Sequence, residues 1–324
     1  MIEQGLIGCD VAFVQVSPPD TNGNHSFGLI SDFVQAAVAK ARVVIAEVNE
    51  RVPFTLGDAV LPGSRIDCAV NVARLPVEVS PAQIGETDLA IAKIVAGYIE
   101  DGSVIQVGIG AVPDAILRLL GDRRNLGVHS GMIGDGLVDL VEAGVITNAL
   151  KPIDAGISIT GALIGTRRLF EFVHHNSQIG MRSSSYTHNE AVLSRLTRLV
   201  TLNSAVEVDL TGQVNAEQSG SQYLGGTGGQ VDFVRAGSRS PGGRSIIALP
   251  ATAKGGKVSR ITAALSGPVT TARSDVDVIV TEFGAAELKG QTLAERARRL
   301  VKIAHPDFRE ELDRTAHEIN RRGF

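Results

Sequence analysis

The stretch "SVIQVGIGAVPDAILRLL" (residues 103–120) decides the fold class. It begins with a short apolar run, continues through the turn residues Gly108 and Gly110, and ends in an Ala/Leu-rich segment entered at Pro113. Proline suits the first turn of a helix, because its φ is already fixed and its missing N–H would be unpaired there. The stretch therefore predicts a strand, a glycine turn and a helix.

Similar strand-like and helix-like segments alternate along the whole chain. The strand-like runs are "DVAFVQVS" (10–17), "ARVVIAEV" (41–48), "SRIDCAVN" (64–71), "SVIQVGIG" (103–110), "RLVTLNS" (198–204), "RSIIALP" (244–250) and "VDVIVTEFG" (276–284). The helical stretches are "ISDFVQAAVAKA" (30–41), "TDLAIAKIVAGYIEDG" (87–102), "PDAILRLLGD" (113–122) and "LAERARRLVKIA" (293–304). This alternation predicts an α/β protein with mainly parallel sheets covered by helices.

The length of 324 residues favours two domains over one. The best boundary lies in "LPVEVSPAQIGETD" (75–88), where two prolines precede the helix-starting pair Thr87-Asp88. We predict a first domain over residues 1–82 and a second over residues 83–324.

Composition excludes several classes of function. The chain has 31 basic and 35 acidic residues and no basic run of the kind that binds phosphate backbones. No apolar stretch reaches the roughly 18 residues of a membrane span, and the start lacks the pattern of a signal peptide. We therefore expect a cytoplasmic protein with neither nucleic acid nor a membrane as its partner.

Metal and disulfide chemistry are not indicated either. Cys9 and Cys68 are too few and too far apart for a metal motif or a disulfide framework, and each lies in an apolar segment that predicts burial. The adjacent pair His174-His175 lacks the spacing of zinc ligands and is more typical of a polar helix end. We expect no metal site.

Two glycine-rich segments could hold an anion. In "YLGGTGGQVDF" (223–233), Gly225, Gly226, Gly228 and Gly229 would let backbone N–H groups converge on one point, and the flanks would hold the loop between strands. The turn at residues 108–110 would face a helix N-terminus, which is weaker evidence because such turns are common for steric reasons.

Three carboxylates precede the second glycine loop, in "NSAVEVDLTGQVNAEQSG" (203–220). The alternation in this run places Glu207 and Asp209 on one face of a strand, and Glu217 follows. If that face is covered, these carboxylates need hydrogen-bond partners; if it is open, they are ordinary surface groups.

Several motifs together resemble one family. They are "SPPDTNGNHSFG" (17–28), "VGIGAVP" (107–113), "SAVEVDLTGQVNAE" (204–217), "GGTGGQVDFVRAG" (225–237), and "TEFGAAELKGQTLAERARRL" (281–300) followed by "IAHPDFREEL" (303–312). The chain resembles the acetyl-CoA hydrolase/transferase family, which includes 4-hydroxybutyrate and butyryl-CoA:acetate CoA-transferases. The resemblance implies two α/β domains with the active site in the interdomain cleft. It also implies that the first domain is only partial, because family members carry a longer segment before the part that matches Met1.

The resemblance implies a ping-pong reaction in which a glutamate attacks the acyl-CoA thioester and passes through a mixed anhydride and a glutamyl-CoA thioester. The amides of Gly228 and Gly229 would stabilise the tetrahedral oxyanion. In "GVHSGMIGDG" (127–136), however, Gly131 stands where the family's catalytic glutamate is expected. Glycine has no carboxylate, so the nucleophile is predicted to be missing.

Three interpretations remain open. In the first, a water activated by His129, Asp135 or Glu207 hydrolyses the thioester or adds to another bond of a CoA-linked substrate. In the second, the chain is an intact transferase in which Glu207 or Glu217 replaces the missing nucleophile. In the third, it is an idle CoA-binding or scaffold subunit.

The first two interpretations share acyl-CoA as a partner, and the second also uses a small carboxylic acid as the acceptor. They require no cofactor beyond coenzyme A as substrate, and family members are usually dimers, so we expect a homodimer. The residues expected to contact the substrate or CoA are Gly108, Gly110, Gly131, Glu217, Gly225, Gly226 and Gln230.

Overall fold

The computed structural model describes residues 1–322, which form 22 strands and 10 α-helices. The strands are β1 (Val11–Val16), β2 (Asn24–Ser26), β3 (Val43–Asn49), β4 (Val60–Pro62), β5 (Cys68–Val72), β6 (Val104–Val107), β7 (Gly127–Val128), β8 (Met132–Ile133), β9 (Ser158–Thr160), β10 (Ala162–Leu163), β11 (Ile179–Met181), β12 (Leu199–Ser204), β13 (Glu207–Asp209), β14 (Val214–Asn215), β15 (Gln218–Ser219), β16 (Gln222–Tyr223), β17 (Arg244–Ala248), β18 (Thr252–Ala253), β19 (Val258–Ser259), β20 (Ile261–Thr262), β21 (Val278–Thr281) and β22 (Gly284–Glu287). The helices are α1 (Val34–Lys40), α2 (Glu86–Ala96), α3 (Ala111–Arg118), α4 (Asp135–Glu142), α5 (Arg167–Val173), α6 (Ser184–Thr187), α7 (Glu190–Leu193), α8 (Gln230–Arg239), α9 (Leu293–Ile303) and α10 (Pro306–Arg322).

These elements confirm the α/β prediction. All seven strand-like runs contain a strand, and each predicted helical stretch contains a helix, although α2 ends at Ala96 and α3 begins at Ala111, before Pro113. No helix among residues 1–322 is both long and apolar enough to cross a membrane.

The chain divides into two compact units. One consists of Met1–Pro81 and Arg124–Val192, and the other of Ala82–Arg123 and Leu193–Phe324. One boundary thus falls next to the break predicted near residue 82, but the segment 124–192 groups with the first unit and not with the predicted domain 83–324. The reason is long-range pairing, because residues of this segment form β-bridges to the first part of the chain. Met181, for example, pairs with Gly57.

The first unit contains a parallel three-stranded sheet in the order β1-β3-β5. One face of β1 and β3 is buried, through residues such as Val14 and Val44. The other face is open: Phe13 is 77% exposed and Val70 on β5 is 52% exposed. The burial predicted for Cys68 is wrong, because Cys68 pairs with Ile45 on this sheet and is exposed.

The second unit is built on five neighbouring strands in the order β22-β21-β17-β12-β6, all parallel except the β21–β22 hairpin. Strands β17 and β21 are almost wholly buried. Helix α8 packs against β12 and β17, α9 against β22, and α10 against α9. The core that these elements share includes Val234, Ile247, Ile279 and Leu300.

Helix α8 approaches the sheet at Gly237. A Cβ added there would lie 2.7 Å from Thr201 Oγ1 and 2.8 Å from the carbonyl oxygen of Arg244, both of which belong to the sheet. We expect Gly237→Ala to lower the free energy of unfolding by about 1–3 kcal/mol, the usual cost of overpacking, as measured by urea denaturation. Gly121→Ala is the matched control, because an added Cβ at Gly121 meets nothing within 4 Å. Equal stabilities of the two variants would contradict the close approach.

Candidate functional site

The segment containing Gly131 is held in the first unit by backbone hydrogen bonds to the neighbouring segment 159–161. The amide of Ser130 donates to the carbonyl oxygen of Ile159 at 3.0 Å, and the amide of Gly161 donates to that of Gly131 at 3.1 Å. Strands β8 and β10 continue the pairing. Gly131 is not among the residues with positive φ, so its backbone conformation does not require glycine.

His129 lies two residues before Gly131 and is fully buried. Its Nε2 atom lies 3.0 Å from the carbonyl oxygen of Thr187, and because a carbonyl only accepts, Nε2 carries the proton. Nδ1 is then an acceptor, and it has no hydrogen-bond partner among the described residues. The ring also stacks on Tyr186 with centroids 6.1 Å apart.

The charge state of His129 follows from its surroundings. Burial, and then the positive charge of Lys151, lower the pKa of His129 to about 4, so the ring is neutral at neutral pH. Lys151 donates from Nζ to the carbonyl oxygens of Val128 and Ile157 at 3.0 and 2.7 Å. Burial also lowers the pKa of Lys151 to about 8, an effect that Asp154 opposes. His129 is therefore a neutral, weakly basic acceptor beside the segment.

Asp135, the other predicted acid of this segment, holds a neighbouring helix. It begins α4, and its two carboxylate oxygens accept hydrogen bonds from the backbone N and the Oγ1 of Thr166, at 2.8 and 2.7 Å. Thr166 is the residue immediately before α5. Asp135 thus links the starts of two helices, and both of its oxygens already have partners.

In the second unit, the strand face that carries Glu207 and Asp209 is covered. Oε1 of Glu207 accepts from Asn215 Nδ2, Ser266 N, Ser266 Oγ and Gly267 N, at 2.8–3.2 Å. Asp209 accepts from the backbone and side chains of Thr211 and Gln213. Both carboxylates are buried, and they have the partners that burial requires.

Glu217 is close to Glu207 through a shared residue. Oδ1 of Asn215 accepts from the amide of Glu217 at 3.0 Å, while its Nδ2 donates to Glu207. The Glu217 carboxylate accepts from Thr270 Oγ1 at 2.9 Å and from the Tyr223 hydroxyl at 3.3 Å. The second unit therefore brings Glu207 and Glu217 together around Asn215.

The glycine loop lies directly after Tyr223. The prediction that strands flank it on both sides is wrong: β16 precedes it, but α8 begins at Gln230 and is preceded by Gly229. Gly225, Gly226 and Gly228 are exposed, and Gly228 has a φ of +55°. Gln230 donates from Nε2 to Thr271 Oγ1 at 3.1 Å, which anchors the end of the loop.

The turn at Gly108 and Gly110 also precedes a helix. Gly110 has a φ of +119° and stands immediately before α3, so glycine is required there by the backbone. Added Cβ atoms at both glycines would meet nothing within 4 Å. The turn is thus open on its outer side.

Sequence reasoning missed the partners that fix these groups. Thr187 and Lys151 set the tautomer and the pKa of His129, but they lie far from it along the chain. Thr166 is equally remote from Asp135. Only Asn215 could have been found, because it lies inside a quoted motif, between the two glutamates.

The buried neutral state of His129 should make stability depend on pH. Because its folded pKa of about 4 lies below the unfolded value of 6.5, the unfolded state binds more protons between these pH values. The free energy of unfolding should therefore fall as the pH drops from 6.5 to 4, by up to about 3 kcal/mol from this group. We expect His129→Gln, which keeps an N–H for Thr187 and does not titrate, to flatten this dependence.

Urea denaturation of both proteins at pH 7.5 and 4.5 measures the difference. The carboxylates affect the free energy of unfolding equally in both proteins. The contribution of His129 is therefore the extra loss of unfolding free energy in the parent protein. An identical loss in the two proteins would contradict the burial of a neutral His129.

Comparison with known proteins identifies the family. The sequence-family model of the acetyl-CoA hydrolase/transferase N-terminal domain matches residues 1–81. The family model of the C-terminal domain matches residues 165–316. The chain is 47% identical over 314 residues to the 4-hydroxybutyrate coenzyme A transferase of Clostridium kluyveri, covering 96% of this chain and 73% of that protein. An acetyl-CoA hydrolase of Kluyveromyces lactis is 32% identical over 222 residues, which is 66% of this chain and 41% of that protein.

A solved structure agrees with this assignment. The 4-hydroxybutyrate CoA-transferase of Porphyromonas gingivalis has a TM-score of 0.89 and 39% sequence identity, over 99% of this chain and 77% of that one. Both the sequence and the fold are thus those of proteins that act on acyl-CoA. The resemblance found in the sequence is confirmed, and the chain belongs to the acetyl-CoA hydrolase/transferase family.

Proposed function

We propose that this chain processes acyl-CoA without a covalent glutamyl-CoA intermediate, moving CoA between carboxylic acids or hydrolysing the thioester. The observation that carries the proposal is Gly131. The resemblance described above implies a catalytic glutamate at this position, and the φ of Gly131 gives no conformational reason for a glycine there. The backbone of this segment is held by hydrogen bonds to residues 159–161 without any side chain at position 131.

The other carboxylates are poor replacements for that glutamate. Asp135 has both oxygens hydrogen-bonded to Thr166, and Glu207 is bound by four donors on one oxygen. Hydrogen bonds to a carboxylate stabilise its charge and lower its reactivity toward a carbonyl carbon. Glu217 is similarly bound by two hydroxyls. Each of these residues has a structural role that an attacking carboxylate would have to give up.

His129 is the candidate group for activating a water. Nδ1 is an acceptor without a partner among the described residues, so it can take a proton from a water that attacks the thioester. The proton would then pass to the CoA sulfur as the C–S bond breaks. Because the pKa of His129 is lowered to about 4, this base is weak, and hydrolysis should be slow.

Acyl-CoA is proposed to bind at the loop Gly225–Gly229, with the amides of Gly228 and Gly229 directed to the thioester oxygen. Exposure of the loop and the start of a ten-residue helix behind it support this. Gly108, Gly110, Gln230 and Glu217 are proposed as further contacts. The name of one relative suggests that CoA thioesters of short acids, such as 4-hydroxybutyrate, are substrates.

Two further points stay proposals. We propose a cytoplasmic homodimer with no cofactor beyond coenzyme A, and the open apolar face that carries Phe13 supports self-association. The second candidate function is an idle CoA-binding subunit, which the loss of a side chain at Gly131 also favours. Turnover of any acyl-CoA by the purified chain separates this candidate from the first.

Restoring the carboxylate should change the reaction. We expect the parent to form no protein adduct with acyl-CoA, and Gly131→Glu to form a hydroxylamine-sensitive glutamyl-CoA that mass spectrometry detects. Covalent catalysis divides a hard transfer into two easier steps, so we expect CoA transfer to a carboxylic acid to rise as well. Gly131→Gln is the control, because it adds the same bulk without a nucleophile. An adduct on the parent protein would overturn the proposal and identify another carboxylate as nucleophile.

A substitution in the glycine loop tests the acyl-CoA site. Gly228 has a φ of +55°, and an added Cβ would point into open space, so Gly228→Val strains the loop by about 1–2 kcal/mol and fills the approach to the proposed site. We expect acyl-CoA affinity, measured by calorimetry, to fall about 10-fold or more. Gly220→Val is the matched control, since Gly220 is also exposed, has a φ of +58° and meets nothing within 4 Å. Equal affinities would exclude the loop.

A further inference from the structure

The side chain that glycine lacks at position 131, relative to glutamate, has a defined chemical size. A glutamate side chain is a two-carbon chain ending in a carboxylate, so what glycine leaves out corresponds to a molecule of propionate. The segment around it does not depend on that side chain, because the Gly161 amide and the Ile159 carbonyl oxygen hold its backbone. Gly131 is itself partly accessible to solvent. The backbone of this segment is therefore held without any side chain at position 131, and the position can be reached from solvent.

The polar groups beside this segment favour an anionic nucleophile over water. A water must lose a proton as it attacks, and the base proposed for that step, His129, is buried and already donates from Nε2 to Thr187. A carboxylate is already charged and needs no base. Its attack on a thioester also matches the reaction class of the family to which the chain belongs.

Arg182 offers a buried hydrogen-bond donor beside the same tyrosine as His129. Arg182 stacks over the ring of Tyr186 at 5.5 Å, on which His129 also stacks. One guanidinium nitrogen of Arg182 pairs with Asp58, while its buried Nε has no acceptor among the described residues. The backbone carbonyl oxygen of Arg182 would lie 3.5 Å from a Cβ added at Gly161, whose amide donates to the carbonyl oxygen of Gly131. An unsatisfied N–H of a cation is the kind of group that a carboxylate binds.

We propose that a free carboxylate no larger than propionate occupies the space of the missing side chain at Gly131 and itself attacks the acyl-CoA. The acceptor acid thus takes the place of the enzyme's nucleophile, and both substrates must be bound at once. This inference rests on the proposed function, in which Gly131 replaces the family's glutamate.

The reaction balances without any further reactant. A carboxylate oxygen of the acceptor bonds to the acyl carbon, the C–S bond breaks, and the products are a free mixed anhydride and the CoA thiolate. The thiolate then attacks the carbonyl carbon that came from the acceptor. The bond from that carbon to the bridging oxygen breaks, and the original acyl group leaves as a carboxylate carrying one oxygen of the acceptor.

Oxygen labelling of the parent protein tests this path directly. Enzyme in excess over butyryl-CoA is mixed with acetate carrying ¹⁸O in both oxygens, and butyrate and acetyl-CoA are analysed by mass spectrometry after one turnover. We expect acetyl-CoA to form, butyrate to carry one ¹⁸O, and no hydroxylamine-sensitive adduct to appear on the protein. Initial rates with both substrates varied should give intersecting double-reciprocal lines.

The other outcomes distinguish failure of this inference from failure of the proposed function. Butyrate labelled from H₂¹⁸O, with no acetyl-CoA and no adduct, would overturn the inference and leave the proposed function standing as hydrolysis. Unlabelled butyrate with a protein adduct would overturn both. Absence of turnover with every acceptor would also overturn both and favour an idle subunit.

Acceptor size and side-chain bulk provide a second test. We expect kcat/KM for acetate and propionate to exceed that for hexanoate about 10-fold or more, because the longer acid exceeds the space that one side chain leaves. Gly131→Gln should lower transfer to acetate about 100-fold. Gly121→Gln, at an exposed glycine with free space around its Cβ position, is the control. Equal transfer by the two variants would overturn the inference.

Discussion

Parallel strands carry apolar side chains on two faces, and the need to cover both faces is the constraint on which this fold depends. In the second unit it is met: β17 is buried along almost its whole length, and α8 comes close enough to the sheet that only a glycine fits at position 237. In the first unit the same constraint is met on one face of β1 and β3 only. Phe13 and Val70 lie on the open side. That face is left open by the described chain.

This constraint also explains how much of the fold could be predicted. Strands buried on both faces are continuous apolar runs, which is why "RSIIALP" and "VDVIVTEFG" could be recognised without any knowledge of their neighbours. The same reasoning failed for Cys68, since an apolar run predicts two covered faces and the structure leaves β5 exposed. Local pattern also cannot reveal which distant segment a strand will meet. The grouping of residues 124–192 with the first unit depends on such bridges, among them Gly57 with Met181.

In the candidate site too, short motifs predicted some features, whereas contacts between distant segments determine the others. The sequence pointed to His129, Gly131 and the glycine loop because each stands in a short motif. It left open whether Glu207 and Asp209 were surface groups or buried ones, and the structure decides for burial with partners. It could not assign the tautomer of His129, which depends on the carbonyl of Thr187. Residue type could be predicted, but the protonation state and hydrogen-bond partners could not.

Burial of a carboxylate and its use as a nucleophile make opposite demands. A buried carboxylate needs donors to offset its lost hydration, and each donor stabilises the charge that an attacking oxygen must give up. Glu207 has four donors on one oxygen, which suits a structural role. Glu217 has two hydroxyl donors and is less strongly held. A carboxylate that attacks a thioester should have fewer fixed donors, and Asp135, with both oxygens bound by Thr166, does not meet this condition either. Under the proposed function, the attacking oxygen has to come from a group that enters with the substrates.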